Sequence, residues 1–262
     1  MKRALIALAL ALSAASPALA QDETIGVRWR EWFAKLGGHI QGEGETLPAT
    51  DLNLTSTLGL DDQENGHEIQ FCLSLPVLGR FYAGYWWVDF EGSKTLTQDI
   101  TFADFTFTAS TTVDSTLNLD MYYLTYEFVL PSIPLAGDQI GLNIGLQLGV
   151  RALLAEASIN SVLGDAKDDG GVGIPVIGLH GSLQVASFLR AELEVSGLAV
   201  SYGSSALSYV EGFGEIVGQL GPAFAGLGYK WCKLDLDDSR GDVDLSVDIH
   251  IDGFYFTAGL RF

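Results

Sequence analysis

Past residue 20 the chain contains no run of 18 apolar residues, so nothing there is long enough to cross a bilayer as a helix. Cysteine is nearly absent. Cys72 and Cys232 are the only two, and each falls on the polar face of its segment. Export through an oxidising compartment would permit one bridge between them, but two free, inert thiols are the expectation. Cations are scarce as well, with 14 Lys and Arg against 33 Asp and Glu and a formal net charge of −19. That sign disfavours nucleic acid, whose phosphates are held by Lys and Arg. No metal motif is present. LDLDDSRGDVD lacks the register and the terminal Glu of an EF-hand loop, and His67 and His250 have no ligand spacing around them. Neither a metal nor a cofactor is expected. Proline is sparse at 7 residues against 31 glycines, a balance suited to curved sheets joined by short turns.

Against these absences, hydrophobic content is 48% and mean hydropathy is positive at +0.25. A β-barrel in a membrane reconciles high apolar content with the lack of long apolar runs, because its apolar surface occupies alternate residues of many strands. The chain opens MKRALIALALALSAASPALA. Lys2 and Arg3 precede an apolar stretch over residues 4–12, and Ala18-Leu19-Ala20 forms a small-residue cleavage site. The reading is a signal peptide over residues 1–20 and one barrel domain over 21–262. With Lys2 and Arg3 removed, the net charge becomes −21.

The last ten residues, GFYFTAGLRF, alternate with period two. Phe254, Phe256, Leu260 and the terminal Phe262 lie on one face, and Tyr255, Thr257 and Arg261 on the other. This ending resembles the C-terminal strand by which bacterial outer-membrane barrels are recognised by their assembly machinery. The same periodicity marks ten strands, near residues 29–42, 67–75, 80–96, 113–130, 139–157, 173–187, 190–202, 206–219, 223–236 and 243–262. Eight or twelve strands would follow from one hairpin miscounted. The fifth strand is the clearest, with Ile140, Leu142, Ile144, Leu146, Leu148 and Val150 opposing Gly141, Asn143, Gln147 and Arg151. In the last strand the apolar register slips between Val247-Ile249-Ile251 and Phe254-Phe256, which predicts a bulge at Asp252-Gly253. Long polar connections near 43–66, 97–112 and 161–172 read as outer loops, and the hairpin TFADFTFTAS within the second as projecting from the membrane. The acidic stretches 61–64 and 235–244 read as solvated loop surface.

Several ionisable residues fall on faces expected to point inward: Lys35, His39, Arg151, His180, Glu192, Glu194, Glu211, Glu215, Lys230 and Arg261. Opposite charges in a lumen of about ten strands would pair and plug it. A polar path lined by them for small solutes is the alternative. The one enzymatic constellation is His180, Ser182 and Glu194. His180 and Ser182 share a strand face, and Glu194 lies on the next strand, where it could orient the imidazole. This spacing is similar to that of outer-membrane lipid A deacylases, but Leu-Gln-Val after Ser182 departs from that family's continuation.

AGLGYKWCKLDLDDSRGDVDLSVDIHIDGFYFTAGLRF resembles the final hairpin of a broad group of small outer-membrane barrels. In that group a GYRY-LDLDLDD-like strand, an acidic loop and a terminal LRF recur. GLDDQEN and DITFADFTF…STLNLDMYYLTYEF resemble the group's first two loops and their flanking strands. Cys232 stands where that group more usually has an aromatic or aliphatic residue. The resemblance spans most of the chain. It implies an all-β, antiparallel, up-and-down transmembrane β-barrel, exported through the periplasm to the outer membrane. Contact with outer-membrane lipid, lipopolysaccharide and the barrel-assembly machinery follows, with a monomer as the expected state. It implies no activity. The expected role is structural or porin-like passive transport of small solutes, set against lipid A acyl hydrolysis and ligand binding by the surface loops.

Overall fold

The computed structural model describes residues 24–42, 50–75, 79–103, 105–130, 133–136, 140–240 and 243–262. The expected signal peptide lies outside these residues. The strands are β1 (Ile25–Gly42), β2 (Thr50–Asn53), β3 (Gln63–Leu75), β4 (Gly79–Thr95), β5 (Ile100–Phe102), β6 (Phe105–Phe107) and β7 (Thr112–Val129). They continue as β8 (Ile133–Ala136), β9 (Ile140–Ser161), β10 (Gly164–Ala186), β11 (Leu189–Tyr202), β12 (Ser205–Leu220), β13 (Ala223–Arg240) and β14 (Val243–Arg261). Ten of them pair antiparallel in a ring, in the order β1, β3, β4, β7, β9, β10, β11, β12, β13, β14. Pairing of β14 with β1, in register from Gly26 opposite Arg261 to Gly42 opposite Leu245, closes it. The all-β, ten-stranded, up-and-down barrel expected from the alternation is the architecture found.

Thr24, Phe262, the ends of β3 and β7 and the connections β10–β11 and β12–β13 lie at one end, here the turn end. Gly221 turns the last of these with φ +58°, a conformation open to glycine at little cost. The other end carries the two longest connections, β1–β3 and β4–β7, and is the loop end, although two residues suffice between β9 and β10, β11 and β12, and β13 and β14. The four short strands serve these ends: β2 extends the sheet beside β1, β8 pairs with the start of β9, and β5 and β6 form a separate hairpin.

Barrel strands run from 13 to 23 residues, whereas about 9–11 suffice to span a membrane. The surplus stands beyond the loop end of the apolar belt, and the chemistry of the two faces inverts there. In the turn half, outward residues are apolar and exposed, including Phe71, Leu124, Leu148, Leu179, Leu193, Leu227 and Phe254. Such a belt is what a hydrocarbon layer covers. Inward residues of that half are polar or charged, among them Arg28, Arg30, Glu68, Glu127, Gln147, Arg151 and Glu192. In the loop half the inward residues are apolar: Trp32, Ala34 and Leu36 on β1, Trp86, Val88 and Phe90 on β4, Leu117 and Leu119 on β7, and Ile249 and Ile251 on β14. Water surrounds this half, so it folds like a soluble protein, with its apolar side chains inside.

This inversion corrects three expectations. There is no bulge at Asp252-Gly253. β14 keeps one unbroken register with β13, from Ala223 opposite Leu260 to Arg240 opposite Val243. Ile249, Ile251, Tyr255 and Thr257 all point inward, and the apolar set changes parity because the solvent outside changes. The Gly-rich stretch 164–173 is not a loop: β9 and β10 stay paired up to Ser161 opposite Gly164. The TFADFTFTAS hairpin lies beyond the belt, as expected, but is packed inward instead of standing free. Ile100 and Phe107 are buried in the apolar cluster together with Leu52, Leu54, Leu58 and Leu60 from the first connection. The two connections therefore close the loop end with leucine and phenylalanine.

Candidate functional site

Charged side chains are costly to bury unless paired, and in the turn half they pair throughout the lumen. Glu68 on β3 accepts from Arg30 Nη1 at 2.6 Å, Lys230 Nζ at 2.8 Å and Tyr123 Oη at 2.6 Å. Glu211 on β12 accepts from Arg151 Nε at 2.6 Å, Ser196 Oγ at 2.9 Å and Tyr209 Oη at 2.9 Å. Glu215 meets Arg28 Nη1 at 2.8 Å and accepts from Tyr255 Oη at 2.8 Å. Glu127 faces His180 Nδ1 at 3.2 Å and Arg80 at 3.5 Å. Nearest the turn end, Glu192 gathers three arginines: Arg28 Nη2 at 2.9 Å, Arg190 Nε at 2.7 Å and Arg261 Nη2 at 3.1 Å.

Glycines across the strand make room for the tyrosines of this network. A Cβ on Gly84 would collide with the Tyr123 ring, and one on Gly228 with the Tyr255 ring. Lying flat over those glycines, the two phenols reach Glu68 and Glu215. The upper boundary of the network is aromatic. Lys230 Nζ sits 5.0 Å from the Trp32 ring centre and 5.2 Å from that of Trp86, and the two indoles meet edge to face. Above them the described inward side chains are mainly apolar as far as the leucine cap, with Ser115 on β7 a buried polar exception.

Of the ionisable residues expected inside, Arg151, His180, Glu192, Glu194, Glu211, Glu215, Lys230 and Arg261 are brought together in the turn half. Lys35 and His39 are not. Lys35 is exposed opposite Asp252, and His39 stands opposite Asp248, both on the outer face. The physical reason is the inversion: Trp32, Ala34 and Leu36, which share a parity, point inward once β1 leaves the membrane. Arg28, Arg30, Glu68, Arg80, Glu127 and Arg190 are network members that the sequence reading did not place among the site residues. Arg28 and Arg30 share the parity of Trp32, and that shared parity was the available signal.

The candidate triad does not assemble. Glu194 is opposite His180 in register, but it accepts from Gln147 Nε2 at 2.9 Å, while His180 faces Glu127. Ser182 Oγ accepts from Asn143 Nδ2 at 3.4 Å. Both His180 and Ser182 are buried in the lumen, away from the lipid-facing surface. Phe254 and Phe256 are exposed on the outer face, and the Phe262 backbone is tied to Ile25 by N–H···O bonds of 2.8 and 3.1 Å. Cys72 and Cys232 are free, Cys72 near the turn end and Cys232 buried in the apolar cluster. On the outer face an aromatic group marks the loop-side edge of the belt. Tyr85 stacks on Tyr122 at 4.6 Å and on Trp87 at 5.0 Å, and His67 Nδ1 lies 2.9 Å from Glu31. Among the described residues no three His, Cys, Asp or Glu side chains form a group able to hold a metal ion.

Between the ion pairs and the turn end lies a cavity of about 440 Å³. Arg28, Arg80, His180, Arg190, Glu192 and Arg261 are among the residues that line it. The lumen thus has three levels: an open vestibule, a paired charge network and an apolar fill.

No protein-family model matches the chain, and no curated protein matches it in sequence. Solved structures do. The outer membrane protease OmpT from Escherichia coli aligns with a TM-score of 0.51 and 12% identity, over 92% of this chain and 98% of that one. Ail, the attachment invasion locus protein of Yersinia pestis, in complex with the heparin analogue sucrose octasulfate, aligns at 0.36 with 9% identity, covering 92% and 100%. Neisserial surface protein A aligns at 0.31 with 13% identity, covering 91% and 97%. The chain has the outer-membrane β-barrel fold.

Proposed function

We propose that this protein is a sealed, non-enzymatic barrel of the outer membrane, with its turn end in the periplasm and its loop half standing outside the cell. The single observation that carries this reading is the apolar fill of the loop half. From Trp32 and Trp86 up to Leu54 and Phe107, the lumen is lined and capped by a cluster of buried side chains no more than 8% exposed. A path for polar solutes would need polar, hydrated walls along its whole length, and this lumen offers them only in the turn half. Paired charges below and packed leucine, tryptophan and phenylalanine above favour a structural envelope role over passive transport. At 12% identity the proteolytic activity of OmpT is not carried over to this chain. The arrangement of His180 and Ser182 likewise favours no acyl hydrolase.

The proposed surroundings follow from the same reading. Lipid covers the belt, lipopolysaccharide meets the outer aromatic group, and the barrel inserts as a monomer through the assembly machinery. Liposome swelling tests the sealed lumen. Vesicles carrying the protein should swell in pentose solutions no faster than empty vesicles, and swelling at a porin-like rate would reverse the assignment. A second reading, ligand binding by the outer loops, is favoured by one observation. The β9–β10 hairpin carries Val162 (96% exposed) and Leu163 at its tip, beyond the belt. Replacing both with serine should abolish binding of cells to a surface ligand if the hairpin is that site, and leave the barrel folded.

A further inference from the structure

The barrel wall is not hydrogen-bonded at every level. β10 pairs with β9 from Gln184 opposite Gly141 up to Gly164 opposite Ser161. Its ladder with β11 starts near the turn end and stops at Ile177 opposite Gly197. The next partners in that register, Val176 with Leu198 and Pro175 with Ala199, do not pair. β11 turns back into β12 after Tyr202, which the same register sets level with Val172. Among the described residues, β10 is therefore an edge strand from Gly164 to Val176. Its alternate N–H and C=O groups point away from β9 and meet no strand.

Side chains leave this edge open. Asp165, Asp168, Asp169, Gly170, Gly171 and Gly173 are exposed. A Cβ added at Gly170 or Gly173 would meet nothing within 4 Å. Asp168 shares the inward parity of Ile174, and Val200 on β11 that of Ser196. Yet Val200 is 49% exposed where Ser196 is 2%, so water reaches the inner side of the wall beside the edge. Exposed edges are blunted by lysine, proline or a covering segment. Here Pro175 stands at the lower end, and the one lysine of the stretch, Lys167, is held 2.8 Å from Glu156. The stretch between them and beyond is mostly glycine and aspartate.

The chemistry of the edge selects its occupant. Only another extended backbone offers donors and acceptors at the spacing of a free ladder. Asp165 and Asp169 lie on the outer face and Asp168 on the inner one, so a strand laid along β10 meets carboxylate on both faces. Asp165 and Asp168 have no ion-pair partner among the described residues. On the other side of the cleft, residues 198–202 read LAVSY and carry no charge to answer them. Opposite charges across a strand pair stabilise it and like charges oppose it.

We infer that the free edge of β10 binds an extended polypeptide segment rich in Lys or Arg as an added β-strand. The inference requires neither a sealed lumen nor the apolar hairpin tip, and so goes beyond both readings above. Fluorescence anisotropy of a labelled decapeptide, (Val-Lys)5, with the protein in non-ionic detergent tests it. The peptide should bind at a single site, and (Val-Glu)5 should not. N-methylation of four consecutive central residues blocks both edges of the peptide and keeps its charge; it should weaken binding at least tenfold. Asp165→Asn with Asp168→Asn should weaken binding severalfold, whereas Val162→Ser with Leu163→Ser should leave it unchanged. Heat-modifiable migration on gels confirms that both variants are folded. Deuterium exchange reads the edge without any substitution. Alternate amides between Gly164 and Val176 should exchange much faster than those between Ile177 and Leu183, and should become protected when the peptide binds. Slow exchange along Gly164–Val176 in the free protein, or equal binding of the N-methylated peptide, would overturn the inference. So would loss of binding on replacing Val162 and Leu163, which assigns the peptide to the hairpin tip. A dimer in detergent that the peptide does not dissociate assigns the edge to a second copy and overturns it as well.

Discussion

Replacing Glu68 with Gln removes one negative charge and little volume from the centre of the lumen. Arg30 and Lys230 both reach Glu68, at 2.6 and 2.8 Å, and their side chains are only 2% and 7% exposed. At an effective dielectric of about 20, each pair is worth roughly 6 kcal/mol in gross Coulomb energy. Most of that is offset by desolvation, yet the two cations stay buried when their shared anion goes. The next carboxylate, Glu215, is 3.8 Å from Arg30 and already holds Arg28. Loss of one partner from a buried pair costs about 3–5 kcal/mol, and Glu68→Gln is expected in that range. The assay is urea unfolding in detergent micelles, followed by tryptophan fluorescence, because Trp32 and Trp86 border Lys230. Lys230→Met should cost less, since it leaves Glu68 with Arg30 and Tyr123. The double variant should show a coupling of at least ~1 kcal/mol, as expected for residues in direct contact. Salt should change none of this much, because buried pairs are poorly screened. A Glu68→Gln protein within ~0.5 kcal/mol of the parent would refute the view that paired charge holds the lower lumen together.

Four further outcomes follow from the inversion of the two faces and from the unassembled triad. Leu148→Arg, on the lipid-facing side of β9, should cost about 2–4 kcal/mol in a membrane unfolding assay. Glu156→Arg, of the same parity but beyond the belt, should stay within ~1 kcal/mol of the parent, since it breaks only an exposed pair with Lys167. Phe90→Ala empties a fully buried position in the loop half and should destabilise the barrel by about 3–5 kcal/mol, measured by the shift of its unfolding midpoint. Ser182→Ala should leave the acylation of lipid A in the host membrane unchanged by mass spectrometry; a gain of acyl chains on losing Ser182 would restore the hydrolase reading.

Most of the barrel was legible from period-two alternation alone. The ten strands were found because lipid on one side and a polar lumen on the other give each membrane-crossing segment a two-faced pattern, as in Leu146, Leu148 and Val150 against Gln147 and Arg151. What alternation could not convey was which side was water. Extending the rule for the membrane half past the edge of the membrane puts Lys35 and His39 inside, where Trp32, Ala34 and Leu36 are found. The same extension turned the parity change between Ile251 and Phe254 into a bulge. The residues 164–173 read as a loop because their glycines and aspartates are poor strand formers, yet pairing with β9 carries them as strand. Charge partners were the least legible. Glu68 finds Lys230 across the lumen, 162 positions away in the chain, and no local pattern encodes that contact. The clustering of Arg28, Arg190 and Arg261 around Glu192 likewise depends on ring closure between β14 and β1.

The central claim, that packed apolar side chains in the loop half seal the lumen, is tested most directly by single-channel recording of the protein in a planar bilayer. A lumen sealed in this way leaves the bilayer silent although the inserted protein is folded and heat-modifiable. Discrete, reproducible openings from single inserted chains would contradict it, because a current needs a hydrated path past Trp32, Trp86 and Phe90 that this packing does not leave.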